Sequence, residues 1–329
     1  MVVDVHTHFV PEVFPDMGGP AGGDRWPRLQ RLDAHTGQVM IAGRNFRTVT
    51  DDCWSAEQRL AVMAEDGVSR QAISPMPELL SYWADPLATR DFGRAINAGI
   101  AALVEAAPDR FSGLGMVPLQ DPDLAARELG ELKALGLAGV EVGSNVGGRS
   151  IGDPVFLPLF AEAAALDLAV FVHSFHPLGL DRLVGPAGLD NLVGFPLEQG
   201  FAIASLVTGG VLERYPGVRI ACSHGGGGFS IVLPRLVHGW QGSEALRAAL
   251  PRSPLDYARQ LYYDTLVYDP RPIRYLRDLF GADRLLVGSD YPFAVAEKPP
   301  GKALAALADL PPAELEAIRT DNAARFLRL

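Results

Sequence analysis

Eight short aliphatic runs, separated by helix-like stretches, constrain the fold of this chain more than any other feature. They are Val2–Val5, Gln71–Ser74, Ser112–Val117, Gly139–Val142, Val170–Ser174, Arg219–His224, Tyr262–Thr265 and Leu285–Ser289. Runs that are apolar on both faces are what parallel strands buried between helices look like. Between them, Leu124 to Leu135 and Ala161 to Leu166 repeat apolar residues three and four apart, which is the helical period. Strand alternating with helix about eight times closes a (β/α)8 TIM barrel, whose chemistry sits at the carboxyl ends of the strands. A chain of 329 residues that is 48% hydrophobic has the apolar content for one such core, so a single domain over 1–329 is expected.

The first run continues into Asp4-Val5-His6-Thr7-His8. Side chains alternate along a strand, so His6 and His8 point the same way and can grip one cation. Imidazole nitrogen and carboxylate oxygen suit divalent ions such as zinc, and a catalytic centre keeps one position open. Three other runs end in matching residues, His173, His224 and Asp290. Four segments delivering such residues to one end of a barrel favour a metal centre over isolated structural histidines. His35 and His238 have no such context and read as surface residues. Gly225–Gly228 follows His224 without the Lys-Ser/Thr of a phosphate loop, so it reads as a place of close backbone approach to the metal pocket.

The alternation is suspended after the first strand. Residues 14–50 are rich in Gly, Pro and Arg, and Gln38–Val49 within them reads as a small β-hairpin insertion turning at Gly43-Arg44-Asn45. Hung over the barrel mouth, that hairpin brings Phe46 and Arg47 to substrate; as a plain surface hairpin it leaves Arg47 solvated, and spacing does not choose between the two. Pro177 to Pro196 is a second irregular stretch and a candidate pocket wall. Trp83 and Tyr82 fit rim packing as well as substrate contact. His176, three residues beyond His173, fits substrate contact, proton transfer or a loop cap.

A net charge of -10 argues against nucleic acid or anionic membrane as partner, and any anionic substrate must be met by local cations. Cys53 and Cys222 are too few and too far apart for a disulfide framework, which suits a reducing compartment. No signal peptide is read before the first strand, and apolar runs break before the roughly 20 residues a membrane helix needs. A cytoplasmic protein is expected.

Asp4-Val5-His6-Thr7-His8, Phe171-Val172-His173, His224-Gly225-Gly226-Gly227 and Gly288-Ser289-Asp290-Tyr291-Pro292-Phe293 resemble the amidohydrolase-related metal-dependent decarboxylases, and within them the amino-carboxymuconate-semialdehyde decarboxylases. Phe46-Arg47, Cys53-Trp54, Ser81-Tyr82-Trp83-Ala84, Gly113-Leu114-Gly115 and Pro216 extend the resemblance, in order, across nearly the whole chain. The resemblance implies that His6, His8, His173 and Asp290 bind a single Zn2+ with water in the open position. His224 is then the acid-base residue that activates this water, and no organic cofactor is needed. Asp290 counts as catalytic beside it. The substrate-contacting candidates are Arg47, Arg235, Phe46, Trp83, His176 and Phe293. The resemblance assigns the two arginines to substrate carboxylates, with Arg235 reaching the neighbouring site of a homodimer. An Arg fork suits a carboxylate because it offers two parallel donors.

The implied reaction is non-oxidative loss of carbon dioxide from a small carboxylated substrate, a muconate semialdehyde or a related aromatic or ring-cleavage acid. The chain departs from the family after the third histidine, where Ser174-Phe175-His176-Pro177 replaces the usual Pro-Trp-Asp, and again over Gly188–Val193. The pocket is therefore reshaped where substrate identity is decided. Two other classes use the same metal set: a hydrolase or hydratase acting on a lactone, amide or alkene, and a non-catalytic metal-binding barrel.

Overall fold

Each of the eight expected runs forms a strand in the computed structural model, which describes residues 1–18 and 23–329. The strands are β1 (Val2–Phe9), β2 (Val68–Pro75), β3 (Phe111–Gly115), β4 (Gly139–Gly143), β5 (Ala169–His173), β6 (Arg219–Cys222), β7 (Tyr262–Asp264) and β8 (Leu285–Leu286). They pair parallel and in chain order. Beyond β8 the chain continues alongside β1, with Val5 N donating to Val287 O at 2.9 Å, Asp290 N to His6 O at 2.9 Å and His8 N to Tyr291 O at 2.7 Å. These bonds close the sheet into the (β/α)8 barrel read from the sequence. Asp4 reinforces the seam, accepting from Ser289 Oγ at 2.5 Å and from His6 N at 3.2 Å.

Apolar side chains form a layer that includes Val3, Val5, Leu114, Phe171 and Tyr262, and the last helix, Asn322–Leu327, packs Phe326 and Leu327 against it. Arg219, the first residue of β6, donates to Phe326 O at 2.8 Å, which puts that helix at the strand starts, the floor of the barrel. A shift in register between Asp4 and Thr7 lets Val5 belong to this layer while His6, one residue on, rests its ring 5.0 Å from Phe171 of the same layer. The chemistry thus begins directly above the apolar filling.

Local sequence sets the helix ends. Ser55 caps Ala56–Asp66 by accepting from Gln58 N at 3.3 Å, and Gly67 ends that helix in the left-handed region at φ 70°. Asp85, Asp121 and Asp269 cap Pro86–Ala106, Pro122–Ala134 and Pro270–Phe280, each with proline at the first helical position. The expected helices at Leu124–Leu135 and Ala161–Leu166 correspond to Pro122–Ala134 and Leu157–Ala165. Among the described residues no helix is long and apolar enough to cross a membrane.

The insertion differs from the expected hairpin. It is a three-stranded antiparallel sheet of Arg28–Arg31, Thr36–Ile41 and Arg44–Thr50. Its turn is Ala42-Gly43, both with positive φ (51° and 74°), so Arg44 and Asn45 belong to the strand and not to the turn. A two-residue turn of that handedness matches the twist of its flanking strands. The extra strand reads Arg-Leu-Gln-Arg and is largely exposed, which left it without an alternating apolar signature. Positions 19–22 of the expected insertion lie outside the described residues.

Candidate metal centre

The carboxyl ends of β1 and β5 and the chain after β8 bring His6, His8, His173 and Asp290 together, with one donor atom of each within 4.8 Å of all the others. His6 Nε2 lies 3.2 Å from His8 Nε2, and Asp290 Oδ1 lies 2.9 Å from His8 Nε2 and 3.6 Å from His6 Nε2. Each ring is aimed by its other nitrogen. His6 Nδ1 donates to Asp264 Oδ2 at 2.8 Å, His8 Nδ1 to Pro75 O at 3.2 Å, and His173 Nδ1 to Ser174 O at 2.7 Å. Because carbonyl and carboxylate oxygens only accept, these bonds fix the proton on Nδ1 and turn the Nε2 lone pairs inward. His173 Nε2 is buried and has no hydrogen-bond partner among the described residues. Converging lone pairs, an orphaned buried nitrogen and a carboxylate fit a divalent cation with an open coordination position.

The charges agree with that fit. Burial lowers the His8 and His173 pKa values, reinforced at His173 by the positive charge of His6, so both are neutral donors. At His6, burial is outweighed by the hydrogen bond to Asp264 and the charge of Asp290, which bring its pKa up to about 9. Burial likewise works against ionisation of Asp290, but the His8 and His6 imidazoles beside it prevail and hold it below the usual carboxylate range. Asp264, at the end of β7, was not singled out from the sequence. Besides orienting His6, it accepts from His224 N at 3.0 Å, Gly225 N at 2.8 Å and Leu266 N at 3.1 Å, tying β1, β6 and β7 into one support.

His224 stands beside the centre, its ring centroid 5.1 Å from His173 and 5.5 Å from His6. Its backbone is left-handed at φ 56°. Nδ1 lies 3.2 Å from Ser223 Oγ and 3.3 Å from Ser174 Oγ, while Nε2 makes no hydrogen bond among the described residues. Burial, then the charge of His6, push its pKa down to about 4. The glycines that follow are dictated by space: Gly225, Gly226 and Gly227 all have positive φ, and a Cβ on Gly227 would lie 1.7 Å from Pro196 O. The close approach is to the helix Phe195–Thr208 and not, as the sequence suggested, to the metal pocket.

A narrow cleft opens on His8, His173 and Asp290, and Arg47, Glu78 and Phe293 complete its sides. Phe293 stacks on His8 with centroids 5.0 Å apart and planes 15° apart, and the Arg47 guanidinium sits 3.9 Å above the Phe293 ring. The insertion therefore does deliver Arg47 to the mouth, with Phe46 at the exposed rim 5.8 Å from it. Asn191 and Phe195, from the Pro177–Pro196 stretch, form another wall. Trp83 lies elsewhere, against Trp26 at 5.1 Å and beneath Arg25 at 4.0 Å, and Tyr82 OH accepts from Gly143 N at 3.2 Å. His176 is exposed and stacked on Phe175 at 3.8 Å, outside the cleft lining. Arg235 is exposed on the helix Phe229–Gly242 and lines no part of this cleft.

Comparison with known proteins accords with this geometry. The amidohydrolase family model matches residues 3–329. The 2-amino-3-carboxymuconate-6-semialdehyde decarboxylase of Dictyostelium discoideum is 34% identical over 329 residues, covering 99% of this chain and 91% of the relative. Among solved structures, IDCase of Metarhizium anisopliae in its apo form superposes with a TM-score of 0.84 at 23% identity, covering 99% of this chain and 97% of that one. Dihydroxybenzoic acid decarboxylase of a Polaromonas species, solved with bound manganese and the inhibitor 2-nitroresorcinol, superposes with a TM-score of 0.74 at 22% identity, covering 100% and 97%. The chain belongs to the amidohydrolase family, among its metal-dependent decarboxylases.

Proposed function

We propose that this protein removes carbon dioxide, without oxidation, from a small carboxylated aromatic or ring-cleavage acid, a carboxylated muconate semialdehyde being one admissible substrate. The observation that carries this reading is a neutral histidine, His224, and an arginine, Arg47, flanking one three-histidine, one-carboxylate centre. Zinc suits that donor set, and manganese is the competing occupant. Bound there, a divalent cation supplies Lewis-acid stabilisation of negative charge on substrate oxygen.

The chain's own residues do the rest. Arg47 offers paired N–H donors to a substrate carboxylate and is steadied by the Phe293 face beneath it. His224 is neutral at physiological pH, so Nε2 takes up a proton from solvent and hands it to the carbon that loses carbon dioxide, one proton being consumed for each carboxylate lost. As the carbon–carbon bond breaks, its electron pair passes into the new C–H bond, and no free carbanion forms. Asp290, besides its place among the donors, is a fixed negative charge that favours the protonated form of His224. Phe293 supplies an apolar wall and Phe46 stands at the rim, whereas His176 and Trp83 line no part of the cleft and are given no contact with substrate.

Arg235 is read as a substrate-binding residue for the neighbouring site of a homodimer. It shares its helix with Ile231 and Val232, which are 71% and 52% exposed, next to Phe201 at 64%. Exposed apolar side chains gathered in this way suit a second copy of the chain. A cytoplasmic setting is consistent with Cys53 and Cys222 being buried and unpaired.

The test is to incubate metal-loaded protein with carboxylated muconates, hydroxybenzoates and picolinates and to measure carbon dioxide. Release from at least one is expected, whereas water uptake without release establishes the hydrolase or hydratase alternative. His224→Ala retains the metal and loses turnover by about 100-fold or more, while His6→Ala and Asp290→Ala lose the metal. Equal metal loss in all three overturns the assigned roles.

A further inference from the structure

Arg59, on the helix Ala56–Asp66, has no part in the chemistry described so far, yet it is fully buried against the strand that carries His6 and His8. Nη1 donates to Gln71 Oε1 at 3.2 Å and to Thr7 Oγ1 at 3.4 Å, and Nη2 donates to Cys53 O at 3.3 Å and to His8 O. All four partners are uncharged oxygens. The fifth N–H, on Nε, is buried and has no partner among the described residues.

Those acceptors come from three parts of the chain. Thr7 stands between the two histidines of β1, and His8 is itself a candidate metal donor. Gln71 lies on β2. Cys53 ends the short turn Asp51–Cys53, which follows the strand Arg44–Thr50 that delivers Arg47 to the cleft. The Cys53 thiol is buried and feels the positive charge of Arg59 and of Arg47, so it lies near both. On the other side the Tyr291 ring, next in sequence to Asp290, is 5.3 Å from the guanidinium carbon. One planar group thus spans from the metal donors to the insertion.

Burying a cation among neutral oxygens costs more than burying a hydrocarbon of similar shape, so this arrangement is a poor way to stabilise a core. What a guanidinium adds is direction: its donors lie in one rigid plane and hold acceptors on separate segments at one mutual spacing. We propose that Arg59 is a positioning residue that sets the reach of Arg47 to the metal centre, and with it the spacing at which a substrate carboxylate and the cation are engaged together. The proposal rests on the decarboxylase reading and deepens it, since the insertion is then held in register with β1 by this buried fork as well as by its own sheet.

The test is a double-mutant cycle on zinc-loaded protein, with salicylate as the carboxylate probe and zinc content measured beside its dissociation constant. Arg47→Ala is expected to weaken salicylate binding. Arg59→Lys, whose ammonium cannot span the same acceptors, keeps the zinc and weakens salicylate binding by about fivefold or more. In the Arg47→Ala background the same change has no further effect, because the residue through which it acts is gone. Should the lysine variant not fold, Arg59→Ala gives the second reading: millimolar guanidinium restores its affinity for salicylate, and ammonium does not. Unchanged affinity in Arg47→Ala or in Arg59→Lys, or no rescue by guanidinium, overturns the proposal. So does equal weakening by Arg59→Lys in both backgrounds, or zinc loss in that variant, as expected of a support for the fold or for His8 alone. Carbon dioxide release by the native protein is scored separately, so failure of the decarboxylase reading and failure of the Arg59 assignment give different results.

Discussion

At the scale of single residues, the centre depends as much on what holds the imidazoles as on the imidazoles themselves. Asp264 binds His6 Nδ1 and three backbone amides, and it raises the affinity of His6 for a proton as well as for a cation. Two outcomes follow from that. Asp264→Asn weakens metal affinity by about 10–100-fold while the fold persists, measured by competition with a chelator. Since His6 in metal-free protein titrates near 9, it is protonated at neutral pH and must release that proton on metal uptake. Apparent affinity therefore rises with pH, by up to about tenfold per unit, until it levels off near 9. An affinity that does not change between pH 7 and 9 contradicts this. His6, His8, His173 and Asp290 were legible in sequence because each ends a strand-like run. Asp264 ends one too, but an acidic residue leaving a strand looks like the start of any loop.

At the scale of elements, the strands were legible because parallel strands covered on both sides must be apolar throughout, and β3 to β6 are buried at every position. The insertion was half legible: its alternating pair showed, and its polar third strand did not. The loop after β6 and the helix Phe195–Thr208 meet so closely at Gly227 that a side chain has no room. Gly227→Ala is expected to destabilise by about 3 kcal/mol or more, through the clash with Pro196 O and the strained φ of 55°. Gly130 supplies the contrast. It is exposed in the helix Pro122–Ala134, and a Cβ there meets nothing within 4 Å. Gly130→Ala should stabilise by about 0.5–1 kcal/mol, and urea unfolding of both variants reads the difference.

At the scale of the whole molecule, the proposed homodimer makes a prediction that the single chain does not. Leu197, Phe201 and Val232 border one groove and are 55%, 64% and 52% exposed. Phe201→Asp combined with Val232→Asp should shift sedimentation from dimer to monomer, and should lower activity if Arg235 completes the neighbouring cleft. Unaltered sedimentation of a native monomer removes that part of the reading. Arg235 itself was singled out by resemblance alone, since an exposed arginine on a helix carries no local sign of its task.

The last helix stoppers the barrel floor, with Phe326 and Leu327 under the apolar filling, while every candidate donor stands at the opposite mouth. Anchorage and reactivity are thereby segregated at the two poles of one cylinder. Drift in the tail can retune durability without disturbing catalysis, and loops around the rim are free to acquire new substrates above an unchanged base.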